Sequence, residues 1–404
     1  MENRRYYGLD ALRGCMMMLG IVLHSATFYL VQVPPGMPIP TDRNHAFLFD
    51  LVFRFIHSFR MPAFFVMAGL FTSLMIQNRG FWGTYKNRAL RILAPLLVSI
   101  VTVLPPAGFF AISFMLSARF GTHHFLPDPM ELRILGKELM AAGAPVGRFP
   151  LWHLWFLYFL CLFYLLIPVC RWLAWGSHLV EGALRTFLKS PGVWMLFGLI
   201  SAATLWPFRG AEVFPSPFLE LHPPSLIYYG FFFMSGSLFH TYLEAMQASQ
   251  HQIPLFTVNS LILFPLTLIT TRFDLATGGS AGFPHLMAVL SHGLCTWSLI
   301  FLSIGITMRY FNHESAWTQY ISRSSYWVFL MHLPMVAFAG WWMVQYNLPA
   351  ILKFICDSSF TTVACFMTYH YLVQRTWISV FLNGRRFSSN WPWQRPLDSS
   401  RAGQ

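Results

Sequence analysis

The sequence predicts an all-α protein, a polytopic transmembrane helical bundle of about ten helices. Hydrophobic residues make up 55% of the 404 residues and charged residues only 10%, whereas soluble domains carry about 25% charged residues. Apolar stretches of about 20 residues, the length that crosses a bilayer, recur along the chain. The basic residues lie mainly in the short loops between these stretches. These three observations indicate that the solvent of this chain is mostly lipid.

Hydropathy windows delimit the individual spans. The second and third spans exceed one bilayer thickness, so each is expected to be extended or broken, with Pro62, Pro105 and Pro106 as candidate kink sites. Residues 1–375 form the predicted membrane domain, and residues 376–404 form a polar, basic cytoplasmic tail that we expect to be flexible. The predicted spans lie near residues 11–31, 47–76, 89–118, 151–175, 191–208, 225–243, 254–271, 285–309, 323–346 and 348–373.

The distribution of Lys and Arg predicts the orientation, because positive loops stay on the cytoplasmic side. With the N-terminus inside, sixteen of these residues fall in inner loops and eight in outer loops, while Arg13, Arg54 and Arg60 lie within spans. Both termini are therefore predicted to be cytoplasmic. The net charge of +12 follows from this topology, and we expect no nucleic-acid partner. The six cysteines lie in or beside apolar stretches, so we expect core residues and no metal site.

Arg13 and His24 are the most informative residues of the first span. Polar side chains at membrane depth are costly and usually functional. Eleven helical steps come to about three turns, so both side chains point the same way, about 16 Å apart along the axis. One helix face therefore carries a cation near the cytoplasmic surface and an imidazole much deeper.

A second polar group lies in "FDLVFRFIHSFRMPAFFVMAGLF". Offsets of four, seven and ten residues place Asp50, Arg54, His57 and, nearly, Arg60 on one helical face. An internal network in which Asp50 neutralises Arg54 is one interpretation, and a functional role for His57 and Arg60 is the other. Gly69 would allow another backbone or a ligand to approach closely.

Two further groups carry buried polar or aromatic side chains. In "SYWVFLMHLP", Tyr326 and His332 indicate either a site or a histidine that bonds a neighbouring carbonyl. In "PLWHLWFLYFL", Trp152, His153 and Trp155 begin a span, where aromatic residues usually form an interfacial belt unless a sugar stacks on them.

The chain resembles the membrane-bound acyltransferase family 3 from about residue 5 to 375. The resemblance rests on "LDALRG" with ten residues between Arg13 and His24, and on "HSFRMPAFFVMAGLF", "YKNRALRILAPLL", "HLWFL" and "SYWVFLMHLP" in that order. The segment "HSFRMPAFFV" is similar to the glucan-modifying branch of the family. Where many relatives carry serine before a glycine, this chain has Ala68.

The resemblance implies an integral enzyme of the bacterial inner membrane that moves an acyl group from cytoplasmic acyl-CoA to a carbohydrate hydroxyl on the far side. In the glucan branch the group is succinyl, the acceptor is a periplasmic glucan, and glucan-synthesis proteins are expected partners. No cofactor is expected to stay bound, since succinyl-CoA or acetyl-CoA is a substrate. The alternatives are O-acetylation of another surface polysaccharide, a proton-coupled transporter, and a flippase-like or scaffold subunit of glycan assembly.

The acyltransferase interpretation assigns a hypothetical role to each candidate residue. His24 is the general base or, alternatively, an acyl carrier. Arg13 binds CoA phosphate or pantetheine, and His57 or Arg60 stabilises the oxyanion. The remaining candidates are substrate-binding residues, namely Arg88, Arg91, Trp152, Trp155, Tyr326 and His332, and structural or supporting residues, namely Asp10, Asp50, Arg54 and Gly69. Either Arg54 or Arg60 could also meet the free carboxylate of a succinyl group.

Overall fold

The structure is a computed structural model, and it describes residues 6–34, 41–141, 148–174, 192–241, 249–387 and 391–392. Within these ranges the regular structure is helical, apart from an isolated bridge between Pro150 and Phe218. The helices are α1 Tyr7–Thr27, α2 Phe47–Arg88, α3 Ala94–Thr102, α4 Leu104–Phe120, α5 Pro129–Ala141, α6 Trp155–Ala174, α7 Val193–Leu205, α8 Pro223–Thr241, α9 Ile253–Ala276, α10 Gly282–Tyr310, α11 Ala316–Val344, α12 Ala350–Thr368 and α13 Trp377–Asn383.

The predicted fold class, a polytopic membrane bundle, is confirmed. Among the described residues, six helices are long and apolar enough to cross a membrane: α1, the run Phe47–Thr102, α9, α10, α11 and α12. Shorter apolar helices cover Leu104–Phe120, Trp152–Ile167 and Val193–Leu205.

The second and third predicted spans have other limits than their hydropathy suggested. Residues 47–102 form one helical run that includes a π-helical segment, Ala89–Leu93. The backbone of α2 leaves helical geometry at Gly80, whose φ of 69° suits glycine, and not at Pro62. The predicted span 89–118 is instead divided near Val103, where Pro105 and Pro106 stand in the first turn of α4.

Helix α1 lies at the centre of the bundle, because it packs against α2, α10, α11 and α12. Small residues on α1 permit this close packing. At Gly8 an added Cβ would lie 2.8 Å from the carbonyl oxygen of Thr307 in α10. A polar side chain on α1 therefore faces protein from several directions.

Helices α2 and α8 cross at two glycines. A Cβ added at Gly69 would overlap the carbonyl of Phe233, and a Cβ added at Gly236 would overlap the carbonyl of Val66. The hydroxyl of Ser237 donates to the Gly69 carbonyl over 3.3 Å. The neighbour that approaches Gly69 is thus the backbone of α8, in the small-residue packing that membrane helices favour.

Three prolines in the bundle leave carbonyls that distant side chains satisfy. Proline has no N–H, so the carbonyl four residues earlier loses its usual helical donor. In lipid no water replaces that donor. For Pro62, the Ser58 carbonyl accepts from Thr296 Oγ1 over 2.9 Å. For Pro95, the Arg91 carbonyl accepts from the Tyr326 hydroxyl over 2.7 Å. For Pro334, the Leu330 carbonyl accepts from His153 Nε2 over 3.2 Å.

Contacts place the start of α1 and the helix α13 at one end of the bundle. Arg13, near the start of α1, bonds Ser322 near the start of α11. One turn further along α11, Tyr326 bonds the Arg91 carbonyl, and the Arg91 side chain bonds Asn383 at the end of α13. The described part of the predicted tail thus includes a short helix that packs on the bundle. Most of the remaining tail lies outside the described residues.

Candidate active site

Helix α1 carries Arg13 and His24 on one face, as its helical geometry requires. Arg13 Nη2 donates to the Ser322 hydroxyl at 2.6 Å and to the Ser322 carbonyl at 3.1 Å. It also lies 3.5 Å from Asp10 Oδ1, which accepts from the Ser322 hydroxyl. The Arg13 side chain is 38% exposed, so it is oriented by the protein and still reachable from its end of the bundle.

The guanidinium of Arg60 lies against the same face of α1. Its Nε donates to the Met16 carbonyl over 3.0 Å, and the residue is 4% exposed. A Cβ added at Gly20 would overlap Arg60 Nη2. Because His24 follows Gly20 by one turn, Arg60 places a buried cation within one helical turn of His24.

Three imidazoles meet at the deep end of this face. The ring centroids of His24 and His332 are 5.1 Å apart, and those of His332 and His153 are 5.2 Å apart. His332 Nδ1 donates to the carbonyls of Phe329 at 2.7 Å and Val328 at 3.0 Å. His24 is only partly buried and makes no side-chain hydrogen bond to the described residues. It is therefore the member of this group with the most freedom to engage a ligand.

His153 is the residue that sequence reasoning missed. Its position between Trp152 and Trp155 in the sequence favours an interfacial aromatic belt. Trp152 has a left-handed backbone, φ 43°, and its N–H donates to the Pro217 carbonyl over 2.9 Å. This turn directs His153 into the bundle. The available signal was Pro334, whose freed carbonyl at Leu330 needs a buried donor.

The hydrogen bond and ring contacts of His57 are made outside this group. Its Nε2 donates to the Val213 carbonyl over 3.0 Å, and its ring stacks between Phe53 and Phe214. A neutral imidazole has one donor nitrogen, and here Val213 already uses it. Arg60 is therefore the better of the two predicted oxyanion donors.

The Asp50–Arg54 ion pair, one of the two interpretations of this helical face, is absent from the described contacts. Asp50 accepts from the backbone N–H groups of Val31 and Gln32, at 3.0 and 2.9 Å, and so holds the loop after α1. Arg54 instead forms an ion pair with Glu212. Burial raises the pKa of the Glu212 carboxyl, and the Arg54 guanidinium opposes that shift. The charge on Arg54 is thus already matched within the protein.

The remaining candidates lie at the Arg13 end or in the core. The guanidinium of Arg88 lies over the Tyr164 ring at 5.4 Å, and Arg91 Nη1 donates to the Asn383 carbonyl over 3.2 Å. Trp155 packs among aromatic rings, including that of Tyr229.

Tyr326 supports the backbone at Arg91, and Trp152 packs on Gly108 of α4. The structure therefore groups Arg60, His24, His332 and His153. Arg13 lies further along the same face of α1, and Trp155 lies among the aromatic rings. No group of three His, Cys, Asp or Glu residues within the described ranges is arranged to hold a metal ion.

Comparison with known proteins identifies the family. The sequence model of the acyltransferase 3 family, described as an acyltransferase domain, matches residues 6–370. The chain belongs to the acyltransferase 3 family. This multi-pass protein is accordingly a membrane acyltransferase, which requires an acyl donor and an acceptor.

Curated relatives in this family cover nearly the whole chain. Glucans biosynthesis protein C of Salmonella schwarzengrund is 23% identical over 376 residues, 90% of this chain and 91% of the relative. Glucans biosynthesis protein C of Escherichia coli strain SMS-3-5 is 23% identical over 390 residues, with 91% of each chain covered. No solved structure matches the chain.

Proposed function

We propose that this family member transfers a succinyl group from cytoplasmic succinyl-CoA to a hydroxyl of a periplasmic glucan. The observation that carries the proposal is the single face of α1, on which Arg13, the guanidinium of Arg60 and His24 follow one another from the end of the bundle inward. A pantetheine arm is long enough, on the order of 15–20 Å, to run beside such a helix from Arg13 to His24.

The proposed reaction uses His24 as a general base. The neutral imidazole takes the proton of the acceptor hydroxyl as the hydroxyl oxygen attacks the thioester carbonyl carbon. The carbon–sulfur bond breaks, and the CoA thiolate leaves with the proton from His24. Acyl-CoA and alcohol thus become ester and CoA, with no other reactant.

Arg60 supplies the charge that this reaction needs. The tetrahedral intermediate places negative charge on the former carbonyl oxygen, and a fixed cation in a site of low dielectric stabilises that charge. Arg60 Nε is used by Met16, whereas its Nη groups make no hydrogen bond to the described residues. The Nη groups are therefore available for the oxyanion.

Arg13 and the inner cations are proposed to bind CoA. Arg13 has a guanidinium fork that suits phosphate or the pantetheine amides. Arg88 and Arg91 lie at the same end of the bundle as Arg13. For Arg91 to bind a nucleotide phosphate, the donor must share it with the Asn383 carbonyl or displace that carbonyl.

The choice of succinyl and glucan is supported by the family branch that the sequence resembles and by the name of the relatives. Arg54 is paired with Glu212, so of the two cations considered for the succinyl carboxylate only Arg60 has no acidic partner among the described residues. O-acetylation would use the same residues with acetyl-CoA.

The test is acyl transfer by the purified protein in lipid nanodiscs, where both faces are accessible. The substrates are succinyl-CoA or acetyl-CoA with a β-glucan, and the readouts are released thiol and the mass increment of the glucan. We expect a succinyl increment, and we expect His24→Ala to lower turnover about 10²–10⁴-fold. The matched control is His313→Ala, at an exposed histidine in the loop after α10.

Each other result overturns a defined part of the proposal. An acetyl increment alone would replace succinyl as the group transferred. Acyl label retained on the protein after quenching would make His24 an acyl carrier instead of a base. A normally folded His24→Ala variant with wild-type turnover, or a wild-type protein that cleaves no thioester, would contradict the acyl-transfer chemistry and favour transport.

A further inference from the structure

Two buried imidazoles beside His24 have an acceptor nitrogen with no donor. His153 is 6% exposed and His332 is 2% exposed. Among the described residues, neither His153 Nδ1 nor His332 Nε2 has a hydrogen-bond partner. Unpartnered polar atoms at membrane depth are costly, and polar residues kept there usually serve a function.

The backbone of α11 determines which nitrogen is the acceptor. A carbonyl oxygen only accepts, so the ring nitrogen facing it carries the proton. His153 donates through Nε2 to Leu330, and His332 donates through Nδ1 to Phe329 and Val328. In the neutral rings, the lone pairs are then on Nδ1 of His153 and Nε2 of His332. Two acceptors are fixed by bonds made on the other side of each ring.

The two acceptors lie at the end of the site away from Arg13. His332 stands ten residues beyond Ser322, the partner of Arg13, along the same helix. His153 begins the segment that continues as α6 toward Tyr164, which contacts Arg88 at the Arg13 end. A donor whose phosphates lie at that end therefore reaches His24 along α1, and His332 and His153 line the site at the depth of His24.

A ligand for this pair must present two N–H or O–H groups close together. Neighbouring hydroxyls of a sugar provide this, and the amides of the pantetheine arm are the other source. We propose that His153 Nδ1 and His332 Nε2 accept hydrogen bonds from two neighbouring hydroxyls of the carbohydrate acceptor and so select the hydroxyl that reaches His24. This assignment rests on the proposed function and adds the two side chains that bind and orient the acceptor.

Substitution by asparagine or glutamine tests the two nitrogens of each ring independently. The amide of asparagine lies near the position of Nδ1, and that of glutamine lies near Nε2. His153→Asn and His332→Gln therefore keep an acceptor where the ligand is proposed to bind. His153→Gln and His332→Asn keep only the donor that faces the carbonyl of Leu330 or Phe329.

The measurement is the apparent KM for glucan, the apparent KM for acyl-CoA and the position of the acyl group, for wild type and all four variants in nanodiscs. We expect the variants that keep the acceptor to stay within about threefold of the wild-type glucan KM. We expect the variants that keep only the donor to raise it at least about tenfold, the effect of one lost hydrogen bond, and to spread the acyl group over several hydroxyls. The KM for acyl-CoA should not change.

The assignment would be overturned if the glucan KM values of the four variants ranked in the opposite order. If His153→Gln and His332→Asn behave like wild type, the rings only anchor the backbone. If the KM for acyl-CoA rises instead, His153 and His332 bind the pantetheine amides. A wild-type enzyme that cleaves no thioester overturns the proposed function itself, so the two failures differ.

Substrate variants keep the inference testable if a substitution prevents folding. Glucose oligomers that lack one hydroxyl next to the acylated position should show a raised KM with the wild-type enzyme. Equal KM values for the complete and the deoxygenated acceptors would contradict the assignment.

Discussion

At the scale of single residues, Gly20 decides where Arg60 lies. A Cβ at this position would overlap Arg60 Nη2, and the neighbouring bond from Arg60 Nε to Met16 limits how far the guanidinium can yield. We expect Gly20→Ala to displace the cation from His24 and to lower kcat about 10²–10³-fold, the usual effect of losing one oxyanion donor. The KM for acyl-CoA should change little, because Arg13 is untouched.

The measurement is steady-state acyl transfer together with the melting temperature in detergent. Gly136→Ala is the matched control, because a Cβ at Gly136 in α5 meets no atom within 4 Å. A Gly20→Ala enzyme with unchanged kcat would show that the guanidinium is not needed at this position.

The sequence predicted some of these residues for a physical reason that the structure leaves intact. The sequence indicates Arg13, His24 and Arg60 because polar groups are costly in lipid, and in the structure they lie along one face of α1. The Asp50–Arg54 pairing was wrong, because helical spacing shows which residues are near and not which partner is better. Glu212, 158 residues away from Arg54, supplies the counter-charge, and no local pattern indicates it.

At the scale of helices, the crossing of α2 and α8 depends on the absence of side chains. The Cβ of Gly236→Ala would overlap the Val66 carbonyl, and a backbone carbonyl in a helix cannot move aside. The helices must separate, so we expect a loss of about 1–3 kcal/mol of stability, as in other overpacked interiors, seen as a lower melting temperature in detergent.

Gly230→Ala on the same helix is the control for Gly236→Ala. Its Cβ would lie 3.4 Å from Phe163 Cε1, an ordinary contact. Equal melting temperatures for the two variants would mean that α2 and α8 can part without loss.

Hydropathy predicted the helices better than their limits. A window average responds to composition and ignores backbone dihedral angles, so the change of geometry at Gly80 and the division near Val103 were not visible to it. The carbonyl bonds made by Thr296, Tyr326 and His153 were equally hidden, because each joins residues far apart in the sequence.

At the scale of the whole molecule, contacts place α13 and the start of α1 at the same end of the bundle, as two cytoplasmic termini require. We expect alkaline phosphatase, which is active only outside the cytoplasm, to stay inactive when fused after residue 404. The same enzyme inserted in the loop 121–128 should be active. An active C-terminal fusion would reverse the predicted orientation.

The charge count behind that orientation contains one residue that the structure explains differently. Lys353 is one of the eight Lys and Arg residues in the predicted outer loops, yet its Nζ lies 2.7 Å from Asp42 Oδ2, and both side chains are 1% exposed. A buried pair of this kind is neutral as a unit. Without Lys353 the inner excess of positive charge is larger, so the predicted orientation is unchanged.

The carbonyls freed by proline also bear on how the chain is assembled after synthesis. A helix that enters the bilayer alone carries its unbonded carbonyl in hydrocarbon, a cost of several kcal/mol for each group. The donors to α2 and to the segment that follows it, Thr296 and Tyr326, lie in α10 and α11, which the ribosome makes much later. The early helices therefore reach their final bonding only when the late ones arrive, and a chain truncated before α10 would be left with unsatisfied backbone inside the membrane.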